Sequence, residues 1–134
     1  MSGGKDCQYA KFLAGVLNDI QMYLGGKTKP DFIVTVTYLT SEQGGRKTPA
    51  NSGYRPQFKI ASYEMQTSGQ QIFIGKDFAL PGETIDAEVT ILSPHLFLRM
   101  LYVGQYFEFR EGAKIVATGK INRIINKDLE VLKK

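Results

Sequence analysis

The sequence predicts a mainly β protein: a six-stranded antiparallel barrel preceded by one N-terminal amphipathic helix. Three observations carry that expectation. Between residues 31 and 125, apolar side chains recur at every second position in six short stretches. Turn chemistry rich in glycine and proline separates the stretches, and no helical rhythm intervenes. The chain has 134 residues, 43% of them apolar, which is enough to enclose one core and gives no reason to expect two.

Residues 6–24, DCQYAKFLAGVLNDIQMYL, have a helical period. Tyr9, Phe12, Leu13, Val16, Leu17, Ile20 and Leu24 fall on one face. Asp6 is placed to cap the start, and Gly25, Gly26 and Pro30 end the pattern. Full burial of that face is worth on the order of 10 kcal/mol before entropy is counted, so a helix interface through Tyr9, Phe12, Leu13, Val16, Leu17 and Ile20 is expected.

The period then changes to two. In DFIVTVTYLT, Phe32, Val34, Val36 and Tyr38 share a side. After a glycine-rich basic loop, EQGGRKTPANSGYRPQF, come QFKIASY with Phe58 and Ile60 inward, and QQIFI at 70–74. LPGE forms a turn, with Pro81 fixing φ and Gly82 supplying the permissive position. It launches TIDAEVTIL, with Ile85, Ala87, Val89 and Ile91 in a row. QYFEFR puts Phe107 and Phe109 inward, and IVATGKINRII offers Ile115, Ala117, Gly119 and Ile121. The organisation is therefore a helix and linker over 1–29, a barrel over 30–126, and a charged tail over 127–134 that is expected to fray.

Composition narrows the function classes. One cysteine, Cys7, gives neither a disulfide framework nor a cysteine metal site, and it is read as a thiol near the start of the helix. The one histidine, His95, opens an apolar run and is read as a packing or solvent-facing residue. No acid/base pair or nucleophile set emerges, so an enzyme is the least favoured class and no cofactor or metal is called for. A net charge of +4 with interspersed signs fits either a solvated surface or weak attraction to RNA or an acidic protein. No run reaches the ~18 apolar residues of a membrane span. Lys11, Asn18 and Asp19 interrupt any signal-peptide pattern, so the cytoplasm is the expected location.

The quoted loop and the motifs after it add a resemblance. GGRKTP, then GYRPQF, LPGE and FREGAKIVATGKI resemble the third domain, a C-terminal β-barrel, of elongation factor Tu, whose family reads GGRHTP, GYRPQF, MPGD and IREGGRTVGAG in the same order. The likeness spans roughly residues 30–126 and implies the same barrel that periodicity predicts. The phosphate-binding G-x-x-x-x-G-K-[ST] of the family's GTPase is absent from this sequence, and the Asp of NKDL at 126–129 stands one position too early for a guanine-reading motif. GTP binding is therefore not expected.

In the family this barrel contacts the backbone of the T stem of aminoacyl-tRNA, its own GTPase domain and an exchange factor. The resemblance implies RNA-backbone positions at Gln57, at Glu111 and Gly112, and at Thr67 or Ser68. Arg46, Lys47 and Arg55 would add positive potential there. The same residues have a fold-keeping reading: Arg46 as a pin onto carbonyls or a carboxylate such as Glu42, Arg55 before Pro56 as strand entry. Departures fall at KTPAN, where the family has HTPFF, at Ala113, and at SPHLFLRMLYVGQYF, which gains Leu96, Phe97, Leu98, Met100 and Leu101. Two functions follow as expectations. The first is a protein interaction module, binding a partner or a second copy and imitating elongation factor Tu before one of its partners. The other is a module contacting tRNA backbone.

Overall fold

The computed structural model describes residues 29–132. The expected N-terminal helix and its interface, Tyr9 to Ile20, lie outside the described residues.

Eight strands follow one another: β1 (Phe32–Tyr38), β2 (Ala50–Asn51), β3 (Gln57–Ile60), β4 (Thr67–Phe73), β5 (Phe78–Ala79), β6 (Thr84–Ile91), β7 (Tyr106–Glu111) and β8 (Lys114–Ile124). Six close into an antiparallel barrel in the order β1-β6-β4-β3-β7-β8, with β8 returning to β1. The other two, β2 and β5, pair with each other outside the barrel wall. Closure leaves the wall without a free edge, so its backbone donors and acceptors are paired within the chain.

Period two sets the core as predicted. Phe32, Val34, Val36 and Tyr38 on β1, and Ile85, Ala87, Val89 and Ile91 on β6, are buried in alternation with outward residues. The centre of the barrel is aromatic. Phe58 packs on Phe32 at 5.1 Å, Phe107 at 5.2 Å and Phe97 at 5.3 Å between ring centroids. Such tilted and edge contacts add about 0.5–1.5 kcal/mol each beyond area burial.

The last strand departs from the expected row. Ile115 is only half-buried, and Val116 takes its place in the core at 0% exposure. The cause is a bulge: Phe109 pairs with Ala117 but Arg110 pairs with Ile115, which leaves Val116 as an extra residue. A second register shift, where Ile33 faces Arg123 and Val34 faces Ile121, brings Ile124 inward. Each extra residue bends the strand and inverts its alternation, which lets the 11-residue β8 curve between β7 and β1. Gly119 does face inward: a Cβ there would lie 2.6 Å from the Thr35 carbonyl oxygen and 2.7 Å from Phe107 Cζ.

Strand β4 starts at Thr67, three residues before the expected stretch, and Gln70 and Gln71 are both buried. The barrel has two ends. At one, the 3-10 turn Pro94–Phe97 inserts Phe97, with Leu101 beside it. The tail, expected to fray, completes this plug. Lys127–Leu129 forms a second 3-10 turn, Leu129 is fully buried, and Leu101 bridges to Glu130. Asn126 of NKDL caps that turn and donates from Nδ2 to Asp31 Oδ1 at 3.0 Å, so it has a structural task. At the other end lie the 39–56 loop, the β5 region and the β7–β8 turn.

Candidate functional site

The basic loop is held at every stage. Leu39 N–H donates to the Val116 carbonyl at 3.0 Å, and the chain turns tightly through Thr40–Gly45. Thr40 N–H donates to Gln43 Oε1 at 2.8 Å, while Gln43 N–H returns to Thr40 Oγ1 at 3.1 Å. Gly45 is buried so closely that a Cβ would lie 2.4 Å from the Leu39 carbonyl oxygen, a contact that only glycine avoids.

Arg46 is the hub that follows. Its Nη1 donates to Glu111 Oε2 at 2.7 Å, its Nη2 to Thr48 Oγ1 at 3.2 Å, and its guanidinium lies 4.6 Å from the centre of the Tyr54 ring. The Tyr54 hydroxyl donates to the same Glu111 oxygen. The partner of Arg46 is thus Glu111, 65 residues away, rather than the nearby Glu42. The three groups settle one another's charge. The Tyr54 hydroxyl, then the Arg46 guanidinium, hold the Glu111 carboxyl below its usual range against the opposing effect of burial. Burial opposes the charge on Arg46, but Tyr54 and Glu111 outweigh it and raise its pKa. Tyr54 is pushed up by burial and by Glu111, so it remains a protonated donor.

Beyond Arg46 the loop zips onto β4. Ser52 N–H donates to the Asp77 carbonyl at 2.8 Å, Gly53 N–H to the Gln71 carbonyl at 2.7 Å, and Gln71 N–H to the Tyr54 carbonyl at 3.0 Å. Gly69 N–H donates to the Pro56 carbonyl at 2.8 Å. Residues 52–56 therefore extend β3 along the half of β4 that β3 itself does not reach. Ala50, in the departing KTPAN stretch, is buried opposite Ala79.

The sequence-predicted site residues do not form one cluster. Arg46 and Glu111 meet in an internal ion pair, and Gly112, at φ +64°, turns the chain beside them. Gln57 faces outward on β3, with Ser68 of β4 and Arg110 of β7 as cross-strand neighbours. Arg110 is paired with Glu108 at 2.8 Å. Thr67 is buried and accepts from Ser93 N–H at 2.9 Å, so Ser68 is the surface residue of the two. Lys47 is exposed and Arg55 half-buried, and neither makes an ion pair among the described residues. His95 is exposed on its 3-10 turn. With its carboxylate, phenol and guanidinium satisfied by one another, the Arg46–Tyr54–Glu111 cluster fixes a loop.

Two surface features were not read from the sequence. Ile72, Ile74, Phe78 and Leu80 are 40%, 47%, 46% and 49% exposed along β4, β5 and the chain between them. The signal was present in IFI, where apolar residues occupy both faces of a strand. The second is Tyr106, exposed on β7 with Lys120 Nζ 4.8 Å from its ring centre. It stands between two shallow grooves bordered by Lys59 and Glu108 on one side and by Thr35 and Asn122 on the other.

Among the described residues, no helix is long and apolar enough to cross a membrane. Compared with known protein families, residues 26–125 match the family model described as the elongation factor Tu C-terminal domain.

Proposed function

The chain belongs to the elongation factor Tu C-terminal domain family, and from that premise we propose that it is a non-catalytic, translation-factor-type barrel acting in the cytoplasm as a protein interaction module. It presents to a partner a surface of the kind that the third barrel of elongation factor Tu presents, and so imitates that factor. The observation that carries this reading is the exposure of four large apolar side chains, Ile72, Ile74, Phe78 and Leu80, within residues 72–80, a stretch that also holds Asp77 and Lys76, the latter ion-paired with Glu83. Clustered exposed apolar side chains with a charged rim are the anatomy of a protein interface.

The test is affinity capture from native lysate, with and without nuclease, using the wild-type chain and Ile74→Asp and Phe78→Asp variants. Both positions face solvent, so the variants keep the barrel, which far-UV circular dichroism checks. A protein retained by the wild type, lost from both variants and indifferent to nuclease supports the reading. Equal retention by all three chains refutes it.

A second reading, contact with tRNA backbone, draws on Lys47 and Arg55, which have no acidic partner among the described residues, and on the outward Ser68–Gln57–Arg110 row. Arg46 and Glu111 contribute little to it, because each neutralises the other. It predicts tRNA retention in filter binding at low salt, falling with added salt and with Lys47→Ala or Arg55→Ala. No retention at low salt ends it.

A further inference from the structure

We propose that the apolar stripe of the N-terminal segment, Tyr9, Phe12, Leu13, Val16, Leu17 and Ile20, docks on the barrel end that carries the Pro94–Phe97 turn, covering Met65, Leu92 and Leu98 of its own chain. Asp31, 1% exposed, is fixed at that end: its N–H donates to the Val89 carbonyl at 2.8 Å, and its own carbonyl accepts from Ile125 and Asn126 N–H, each at 2.9 Å. Its Oδ2 accepts from Ile91 N–H at 2.8 Å, next to Leu92. The chain therefore enters the barrel wall at the end that carries Leu92.

From Leu24 to Asp31 the chain advances seven residues, at most about 25 Å when fully extended. A strand as long as β1, seven residues, spans about 23 Å. The near end of the barrel is reached with slack. The Phe78 and Leu80 end is reached only by a linker stretched almost straight along the wall.

Met65, Leu92 and Leu98 are 44%, 40% and 51% exposed, with half-buried Tyr63 and Leu96 among them. The segments that carry them are joined at this end: Leu92 N–H donates to the Ser68 carbonyl at 2.9 Å, and the Tyr63 hydroxyl to the Leu96 carbonyl at 2.5 Å. The Tyr63 ring also meets Phe97 edge-on at 5.3 Å. An isolated helix of this length is marginal in water and takes its stability from a packed face. A short linker holds that face at roughly millimolar effective concentration, which favours docking within the chain over pairing with a second copy. The docking is separate from the partner surface proposed above, which lies at the opposite end.

Cys7 is the only cysteine of the chain and lies off the apolar stripe, so a nitroxide can be attached to the native protein. A second label is placed by Asn18→Cys in a Cys7→Ser background. In the full chain, the Asn18→Cys label is expected to broaden the amide resonances of Met65, Leu92 and Leu98 and to leave those of Ile74 and Phe78 sharp. Leu98→Asp, at an exposed position, should abolish the broadening while the rest of the barrel spectrum is unchanged. Broadening centred on Ile74 and Phe78, or none at all from either label, overturns the proposal. So does equal broadening in a mixture of spin-labelled, isotope-free chain with unlabelled, isotope-enriched chain, because the occupant would then be a second copy.

Discussion

Gly119→Ala isolates what barrel closure requires. The new methyl carbon would lie 2.6 Å from the Thr35 carbonyl oxygen, 2.7 Å from Phe107 Cζ and 3.1 Å from Phe107 Cε2. The ring has some freedom to retreat, but the carbonyl belongs to the β1–β8 ladder, where Val36 pairs with Gly119. Overpacking of this kind costs about 1–3 kcal/mol. The stiffer unfolded chain returns about 0.4–1 kcal/mol. A net loss of about 1–2 kcal/mol corresponds to a fall in Tm of roughly 5–15 °C for a domain of this size. Thermal and urea unfolding followed by circular dichroism would measure it, with the urea m-value unchanged if the denatured state is untouched. In a Phe107→Leu background, itself destabilised by the lost core ring, the additional penalty of Gly119→Ala should be smaller but not zero, since the ring contact is gone and the carbonyl remains. A Gly119→Ala chain as stable as the wild type would refute the close approach of β8 to β1.

Three further outcomes follow from the packing. Gln71 is fully buried, accepts from the Tyr38 hydroxyl at 2.9 Å, and has no hydrogen-bond partner for its Nε2 among the described residues; Gln71→Leu should cost about 1–3 kcal/mol by stranding that hydroxyl, and Tyr38→Phe/Gln71→Leu should recover most of it in urea melts. Glu111→Gln should cost about 0.2–1 kcal/mol at neutral pH, less in high salt. Because the folded-state pKa of Glu111 lies below its ordinary 4.5, its stabilisation is present above that value and lost as pH falls through the folded pKa, so wild type and variant should converge in acid. Leu129→Ala should cost about 2–5 kcal/mol in chemical denaturation, whereas a frayed tail would register no change.

Local pattern made most of the barrel legible. Strands β1, β6 and β7 alternate strictly, and their inward residues are the buried ones. What pattern missed is set by contacts distant in sequence. Val116 displaces Ile115 because of a bulge against β7, and neither residue is more apolar than the other in any way that marks the switch. Strands of two residues such as β2 and β5 carry no period at all. Leu129 sits between charged residues and is apolar core only because Leu101 and Asp31 lie beside its turn. The candidate site was less legible for the same reason. Arg46 has an acidic residue four positions away in Glu42, and nothing local announces that Glu111 takes the pairing.

Positive charge in the 42–58 loop looks like an invitation to phosphate, yet its central cation is already paired within the chain, with Glu111. What the loop delivers instead is position. Arg46 ties it to the β7–β8 turn through Glu111, and residues 52–56 are stitched to β4. Between those anchors, Asn51 pairs with Phe78 and Ser52 holds the Asp77 carbonyl. The loop thereby ties β5 to the chain that runs along β4, at the barrel end where Ile74 and Phe78 are open to solvent. These are backbone hydrogen bonds, so they fix the course of the chain at Phe78 and leave its side-chain rotamers free. The glycines and the arginine thus act on position, by fixing the backbone from which the exposed Phe78 projects.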